Sequence, residues 1–388
     1  AAINTNLVNN GTLDATAGTL QFFGNNDHII SGESPIMAGN VTITASTPSR
    51  TLSLNNNNPG SGALNDTRIL EVYGLLNVFN NTLVTNDQLV FKSNASGTGI
   101  LDVIDTDDIS RNGTINGPVV VERYNSVNRA YRLLSAPLAS GSLKDNWMEG
   151  VNNADTNTNL NPNPGFGTHI TGSGSSWDAT TTNNPSVFGV NNLGMPAAYT
   201  TVATSNEEFN YGKGFLLFVR GDRGVDLSSN ASEGSTILRA KGTLMTGNLV
   251  LNSSFLNTGD NFSGGNGSSL IGNPYQAPVD MAQVLENSQD LNEDAYHIYD
   301  PTIGDNGAFV TVTFETVILG TIIPESNSFS FPADETGNIV SDSDANRFLQ
   351  PGQAAFINSE QQISDADGTL NPILTFREAD KFLESTND

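Results

Sequence analysis

The chain contains no cysteine, which excludes disulfides, thiolate metal sites and cysteine nucleophiles together. Histidine is almost missing as well: His28, His169 and His297 are the only three in 388 residues. None belongs to an H-E-x-x-H zinc helix, and no G-x-S-x-G elbow presents an activated serine. Each histidine therefore reads as a hydrogen-bonded strand residue rather than a general base. Basic residues are scarce, 16 Lys and Arg against 41 Asp and Glu, giving a net charge of -25. Such a surface repels phosphate backbones and anionic headgroups, so neither nucleic acid nor membrane insertion is expected. No apolar run approaches the roughly 20 residues of a membrane-spanning helix, and no basic segment followed by an apolar core opens the chain. Any targeting segments of an exported protein are absent from this sequence.

What is present is Asn, Thr, Ser and Gly, in stretches such as Leu54 to Gly62 and Asn152 to Gly167. Short polar side chains compete for backbone hydrogen bonds and glycine supplies positive φ, so the composition favours turns and strands over helices. Through about Asp108 the apolar residues come in period-two pairs between Gly and Asn turns: Leu20/Phe22, Val41/Ile43, Leu52/Leu54, Leu70/Val72, Leu76/Val78, Leu89/Phe91 and Leu101/Val103. Strands this short are stable when successive coils stack and bury one shared apolar face, the logic of a β-solenoid of the parallel β-helix type. No strict repeat length emerges, so a β-sandwich remains the alternative for this half.

From Gly117 longer alternating strands follow, at Pro118 to Tyr124, Arg129 to Leu138, Gly214 to Gly221, Thr236 to Leu244, Gly307 to Leu319 and Ala354 to Ser359. They predict an antiparallel β-sandwich with long loop insertions. The one convincing helix lies in Pro278 to Asn287 behind an Asp280 N-cap. The polar stretch Asn152 to Asn192 reads as a surface excursion. The expected organisation is all-β, with a solenoid-like repeat region over 1–113 and a β-sandwich module over 114–388.

An ordered series of short motifs carries a resemblance: "GPVVVERY", "RAYRLLSAPL", "GFGTHITG", "NPSVFGVNN", "GKGFLLFVRGDRG", "LRAKGTLMTG", "LIGNPYQAPVD", "PGQAAFIN" and "LTFREADK". Over about Gly117 to Lys381 the chain resembles a module of large surface proteins that Bacteroidota export by the type IX secretion pathway. The resemblance implies an extracellular, cell-surface location, the export machinery as a partner, a β-solenoid segment in front of the module, and no established catalytic residues. It also implies a C-terminal sorting domain, expected either to be cleaved after export or to lie beyond this sequence.

Three groups of residues invite a chemical reading. Arg220-Gly221-Asp222 spells an adhesive tripeptide, but Gly221 and Gly224 bracket a turn in which Asp222 would bond neighbouring amides. Asp342, Asp344 and Asn346 offer oxygens at positions one, three and five, the spacing of a loop that wraps calcium, although Arg347 and Gln353 stand where an EF-type loop needs Gly and Glu. Looser acidic clusters lie at Asp102, Asp105, Asp107 and Asp108, and at Asp365, Asp367 and Gly368. Trp147, Trp177 and Tyr199 lie in or beside the polar excursion and would contact glycans if exposed.

The expectation is a non-enzymatic structural or adhesive protein of a surface fibre, filament or adhesin, partnered by copies of itself or by neighbouring surface proteins. A carbohydrate-binding module is the first alternative. A polysaccharide-active β-helix enzyme is the second, weakened because only Arg50, Arg68 and Lys92 supply positive charge before Arg111. The apolar coils Ile3 to Phe23 start without a cap, which points to a head-to-tail neighbour, with Leu374, Phe376 and Phe382 as the candidate donor segment.

Overall fold

The computed structural model of the chain describes residues 1–44, 49–56, 68–105, 108, 110–155, 160–194, 197–229, 231–258, 267–304, 307–318, 321–323, 326–329, 343–360 and 370–384. The fold is all-β; among the described residues the one α-helix is the short Met281–Glu286, with a 3-10 turn at Glu378–Asp380. That helix begins where expected: the Asp280 side chain accepts from the Ala282 amide, and Met281, Val284 and Leu285 are its buried face.

The first third alternates between two parallel sheets. One receives Ala2–Ile3, Leu13–Phe22, Ile36–Ile43, Leu70–Val72, Leu89–Phe91 and Val119–Asn125 in spatial order. The other receives Leu7–Asn9, His28–Gly32, Thr51–Asn56, Thr82–Val84 and Thr114–Asn116. Parallel register puts like on like: Leu20 beside Val41 beside Leu76 beside Leu101, and Ile36 beside Leu70 beside Leu89. These side chains are nearly all solvent-free, forming ladders of buried aliphatics between the sheets.

Short polar side chains close the corners from coil to coil. Asn6 accepts from the Ile29 amide, Asp27 from Thr51, Asn40 from Leu75 and Asn81 from Arg50. Asn9, Asn81 and Asn86 in turn donate to carbonyls of neighbouring coils. Corner backbone groups that leave the ladder are thereby satisfied. Gly113 shows how tightly the coils approach, since an added Cβ would lie 1.8 Å from the Val78 carbonyl oxygen.

Val119–Asn125 is where the architecture changes. One edge pairs parallel with Val90–Phe91, and the other pairs antiparallel with Thr236–Gly242 along its whole length. The parallel stacking thus runs past position 113, and the strand Thr236–Leu244 covers the end of the stack. Beyond it lie two antiparallel sheets. Ala130–Ser135, Gly214–Val219, Val187–Asn191 and Ala198–Thr201 make one; Ser268–Gly272, Ala354–Asn358, Ala295–Asp300, Ala308–Thr313 and Ser326–Phe329 make the other. They pack through Leu133, Leu270 and Ala354. Gly214 permits the approach, because a Cβ there would meet Ala354 and Leu270 at 2.8 Å.

Most of the buried apolar groups fall into one large cluster between Leu20 and Leu244 and a second between Leu251 and Phe376, with smaller clusters at Val90/Val120 and at Leu133, Leu270 and Ala354. The C-terminal segment expected to serve a neighbour is spent within its own chain. Leu374–Phe376 pairs with Leu249–Leu251, Leu374 and Phe376 are fully buried, and Phe382 stacks on Phe348 at 4.1 Å. An apolar strand of that kind satisfies both its backbone and its side chains at home, so it is not a free donor.

Candidate functional site

A cavity of about 360 Å³ opens where Val119–Asn125, Ala130–Ser135, Ala295–Asp300 and the segment 343–350 converge. Two arginines line it. Arg132 is 6 % exposed and donates to the carbonyls of Ala130, Ser126 and Asn128. Arg123 donates from Nη1 to the Pro351 carbonyl at 2.7 Å, while its solvent-shielded Nε meets no acceptor. Among the described residues neither guanidinium has a carboxylate within ion-pairing distance. Burial, reinforced by repulsion from Arg132, lowers Arg123 to about 10, and burial lowers Arg132 to about 10.

The cavity does contain carboxylates, but they are engaged elsewhere or face solvent. Asp300 accepts from the Thr302 amide and hydroxyl and from the Ser343 hydroxyl. Asp344 is exposed at the rim. Of the expected calcium ligands, Asp344 and Asn346 therefore border this cavity, whereas Asp342 lies outside the described residues. Asn346 uses its side-chain oxygen on the Phe348 amide and its amide on the Asp344 carbonyl, closing a turn. Among the described residues no three His, Asp or Glu gather closely enough to hold a metal. Asp102 and Asp108 cap their own local backbone, and Asp107, Asp365, Asp367 and Gly368 fall outside the described residues.

The aromatic residues expected to meet glycans separate. Trp147 and Trp177 are each 3 % exposed. Trp147 packs against Phe209 and Phe215, and Trp177 lies across Gly172, so neither ring has a free face. Tyr199 alone is exposed, at 44 %, in edge contact with Phe356. The indoles were drawn inward because each fills apolar volume beneath a polar loop, a distinction that alternation in the sequence does not encode.

The same loop is more buried at its centre than a surface excursion would be. Asp178, wholly buried, takes a two-point contact from Arg223 at 2.8 and 2.9 Å, and the amides of Asn153 and Ile170 at 2.6 and 3.0 Å. His169 stands 3.3 Å from it through Nδ1. Burial pulls the Asp178 carboxyl upward, but the hydrogen bonds from His169 and Arg223 outweigh it and hold the group below its ordinary range. Arg223 also donates to the Leu160 and Thr168 carbonyls. This arginine, and not the preceding tripeptide, is the working residue of the Arg-Gly-Asp-Arg-Gly segment. Arg220 stacks on Phe218 at 4.9 Å, and Asp222 accepts from the Gly165 and Gly224 amides. Gly221 has φ of 135°, a backbone only glycine takes readily, so the segment is a turn with Asp222 bonding it.

The other histidines are likewise structural. His28 is buried in an apolar ladder beside Leu52 and meets the Phe23 carbonyl at 3.2 Å. His297 lies between Thr311 and Asn358, each at 2.9 Å.

The late motifs join the two regions. Gln276 donates its side-chain amide to the Gly99 carbonyl and accepts the Leu101 amide on its own carbonyl. Glu378 accepts from Ile104 and Gly247, and is paired at 2.6 Å with Lys381, which sits 4.9 Å over the Tyr275 ring. Among the described residues no helix is long and apolar enough to cross a membrane. No family model, curated protein or solved structure matches the chain.

Proposed function

We propose that the chain is a non-enzymatic, extracellular structural or adhesive component of a bacterial surface fibre, filament or adhesin, built as a β-solenoid that continues into a β-sandwich module. One observation carries the reading: a single sheet path runs from Ala2–Ile3 through every coil to Val119–Asn125 and on into Thr236–Leu244. Hydrogen bonds that continue across both regions suit a part that transmits load along its length. The burial of Asp178, Arg223, Glu149 and Arg239 as ion-paired struts agrees with this reading, since these groups stabilise loops rather than face a substrate. The motif resemblance supplies the surface location, export by the type IX pathway and neighbouring surface proteins as partners. A structural calcium bound through Asp342, Asp344 and Asn346 belongs to the same reading.

The test is immunogold electron microscopy of intact producing cells with antibodies raised against the folded chain. Gold along surface fibres is the expected result. Gold confined to the cell interior would overturn the proposal, as would turnover of a polysaccharide by the purified chain.

A further inference from the structure

The cavity holding Arg123 and Arg132 has a chemistry that neither the scaffold nor its export requires. Two guanidiniums line one small space without a counterion among the described residues, in a chain whose net charge is -25. A protein with 41 acidic side chains has carboxylates to spare for neutralising them. Elsewhere Arg223 has Asp178, Arg239 has Glu149 and Arg347 has Asp280, while Arg129 and Arg220 stack on Phe218 and Arg50 is held by backbone carbonyls. Arg132 receives only neutral carbonyls, and Arg123 receives one, leaving Nε and Nη2 without acceptors. A buried charge with unmet donors is destabilising on its own and is relieved by an anion that enters from solvent.

The rest of the lining narrows what that anion is. Tyr124, Tyr299 and Phe348 are half-buried rings that present apolar surface. Asp344 and the partnerless side-chain oxygen of Gln350 supply acceptors, and the side-chain amides of Asn125 and Gln350 supply donors, the mixture that hydroxyl groups need. The acidic groups also disfavour a ligand carrying several negative charges. A volume of about 360 Å³ is at the small end of ligand pockets, which run from roughly 300 to 1,000 Å³. One carboxylate, several hydroxyls and an apolar ring face in that space describe a sugar acid.

We propose that this cavity binds a uronate-type residue of an acidic glycan, its carboxylate held by Arg123 with Arg132 behind it and its ring against Tyr124 and Tyr299. Planar guanidinium matches carboxylate at two points, which gives orientation as well as attraction. The site is distinct from the Trp147, Trp177 and Tyr199 set and does not depend on the scaffold reading.

The experiment is calorimetric titration of the full 388-residue chain with galacturonate, glucuronate, neutral galactose and acetate, repeated on Arg123→Met. Because Arg123 has no carboxylate partner among the described residues and its shielded Nε meets no acceptor, Arg123→Met is expected to keep or raise the melting temperature, which is measured alongside. The expected result is saturable binding of at least one uronate, at least tenfold tighter than galactose and acetate, and a loss of tenfold or more in Arg123→Met. Equal binding of uronate and galactose would overturn the role of the carboxylate. Acetate binding as tightly as uronate would reduce the site to a bare anion hole and overturn the sugar assignment. Absence of uronate binding, or undiminished binding by a folded Arg123→Met, would overturn the proposal outright. If Arg123→Met fails to fold, Tyr299→Ala tests the ring contact instead: a tenfold loss of uronate binding is expected, and undiminished binding by the folded variant would overturn the proposal.

Discussion

The corners of the parallel coils and the long excursion over the antiparallel region satisfy buried polar groups by different means. Between Ala2 and Asn125 the unpaired backbone groups at corners meet Asn, Asp and Thr side chains from the next coil, as Asn81 meets Arg50 and Thr44. Under the excursion 152–192 of the antiparallel region the equivalent work is centred on a buried charged pair, although Asn192 and Asn273 bridge backbone groups elsewhere in that region. Arg223 reaches the Leu160 and Thr168 carbonyls, and its partner Asp178 reaches the Asn153 and Ile170 amides. The difference follows from geometry. A stacked coil brings each corner within a few ångströms of the next, so a short amide spans the gap. A long loop packed over a sheet presents scattered groups at varied distances, and a charged pair with many hydrogen-bonding positions collects several of them at once.

The largest effect expected from this contrast comes from Arg223→Met. It leaves Asp178 buried without its counterion, a defect of about 3–5 kcal/mol. Urea denaturation should show a large drop in midpoint, and hydrogen exchange should lose protection over 160–192 while amides of the Leu20/Val41/Leu76 ladder keep theirs. Arg223→Met combined with Asp178→Leu should be less harmful than the two single changes added together, because no lone charge remains. Equal loss of protection in the ladder would break the comparison, since it would make the two regions one cooperative unit.

Local pattern and tertiary role coincide in part of the chain. Thr236–Leu244 and Gly214–Val219 were visible as alternating runs, and the helix over Met281–Glu286 was visible from its cap. The period-two pairs of the first third were visible too, but not their repeat. Leu13 partners Ile36 whereas Ile36 partners Leu70, so successive coils differ in length and no fixed period exists to detect. The excursion 152–192 misled because Asn and Thr signal turns without revealing that Asp178 anchors them. The arginine cavity was illegible for a related reason. Arg123 and Arg132 are each one basic residue in an alternating strand, and only the packing of strand Ala295–Asp300 and segment 343–350 against them encloses the space.

A smaller effect is expected from Asn81→Ala. Its side chain accepts from the Arg50 amide at 3.0 Å and donates to the Thr44 carbonyl at 2.9 Å, and the residue is 3 % exposed. Leaving those groups unmatched should lower stability by about 1–3 kcal/mol. Exchange should quicken in the adjoining coils, at Thr51–Asn56 and Thr82–Val84, and be unchanged at Phe356. Asn81→Asp keeps the acceptor but turns a buried carboxylate oxygen toward the Thr44 and Phe79 carbonyls, so at neutral pH it should be at least as harmful as Asn81→Ala. If Asn81→Ala instead loosened the antiparallel sheets as much as the coils, the corner amides would not be local clamps.

The smallest expected effect is a pH dependence belonging to the antiparallel region alone. His297 lies on the strand Ala295–Asp300, with Nδ1 2.9 Å from the Thr311 hydroxyl and Nε2 2.9 Å from the Asn358 amide nitrogen. The amide donates to Nε2, so the ring proton sits on Nδ1 and the neutral imidazole is fully bonded. Burial lowers its pKa from the ordinary 6.5. The folded chain therefore binds this proton less readily than the unfolded chain does. Stability from the neutral ring is present above about 6.5 and drains as pH falls through that value, levelling below the folded pKa. Over that window the loss is on the order of 1 kcal/mol per unit of pH. Carboxylates that titrate at lower pH add their own slope, so the informative quantity is the difference between wild type and His297→Gln. Denaturant midpoints at pH 7.5, 6.5 and 5.5 should converge for the two proteins as pH falls, because the variant has no imidazole to charge. Parallel pH profiles would show that protonation at position 297 is accommodated without loss, and the pH sensitivity would then have to be sought among the buried carboxylates.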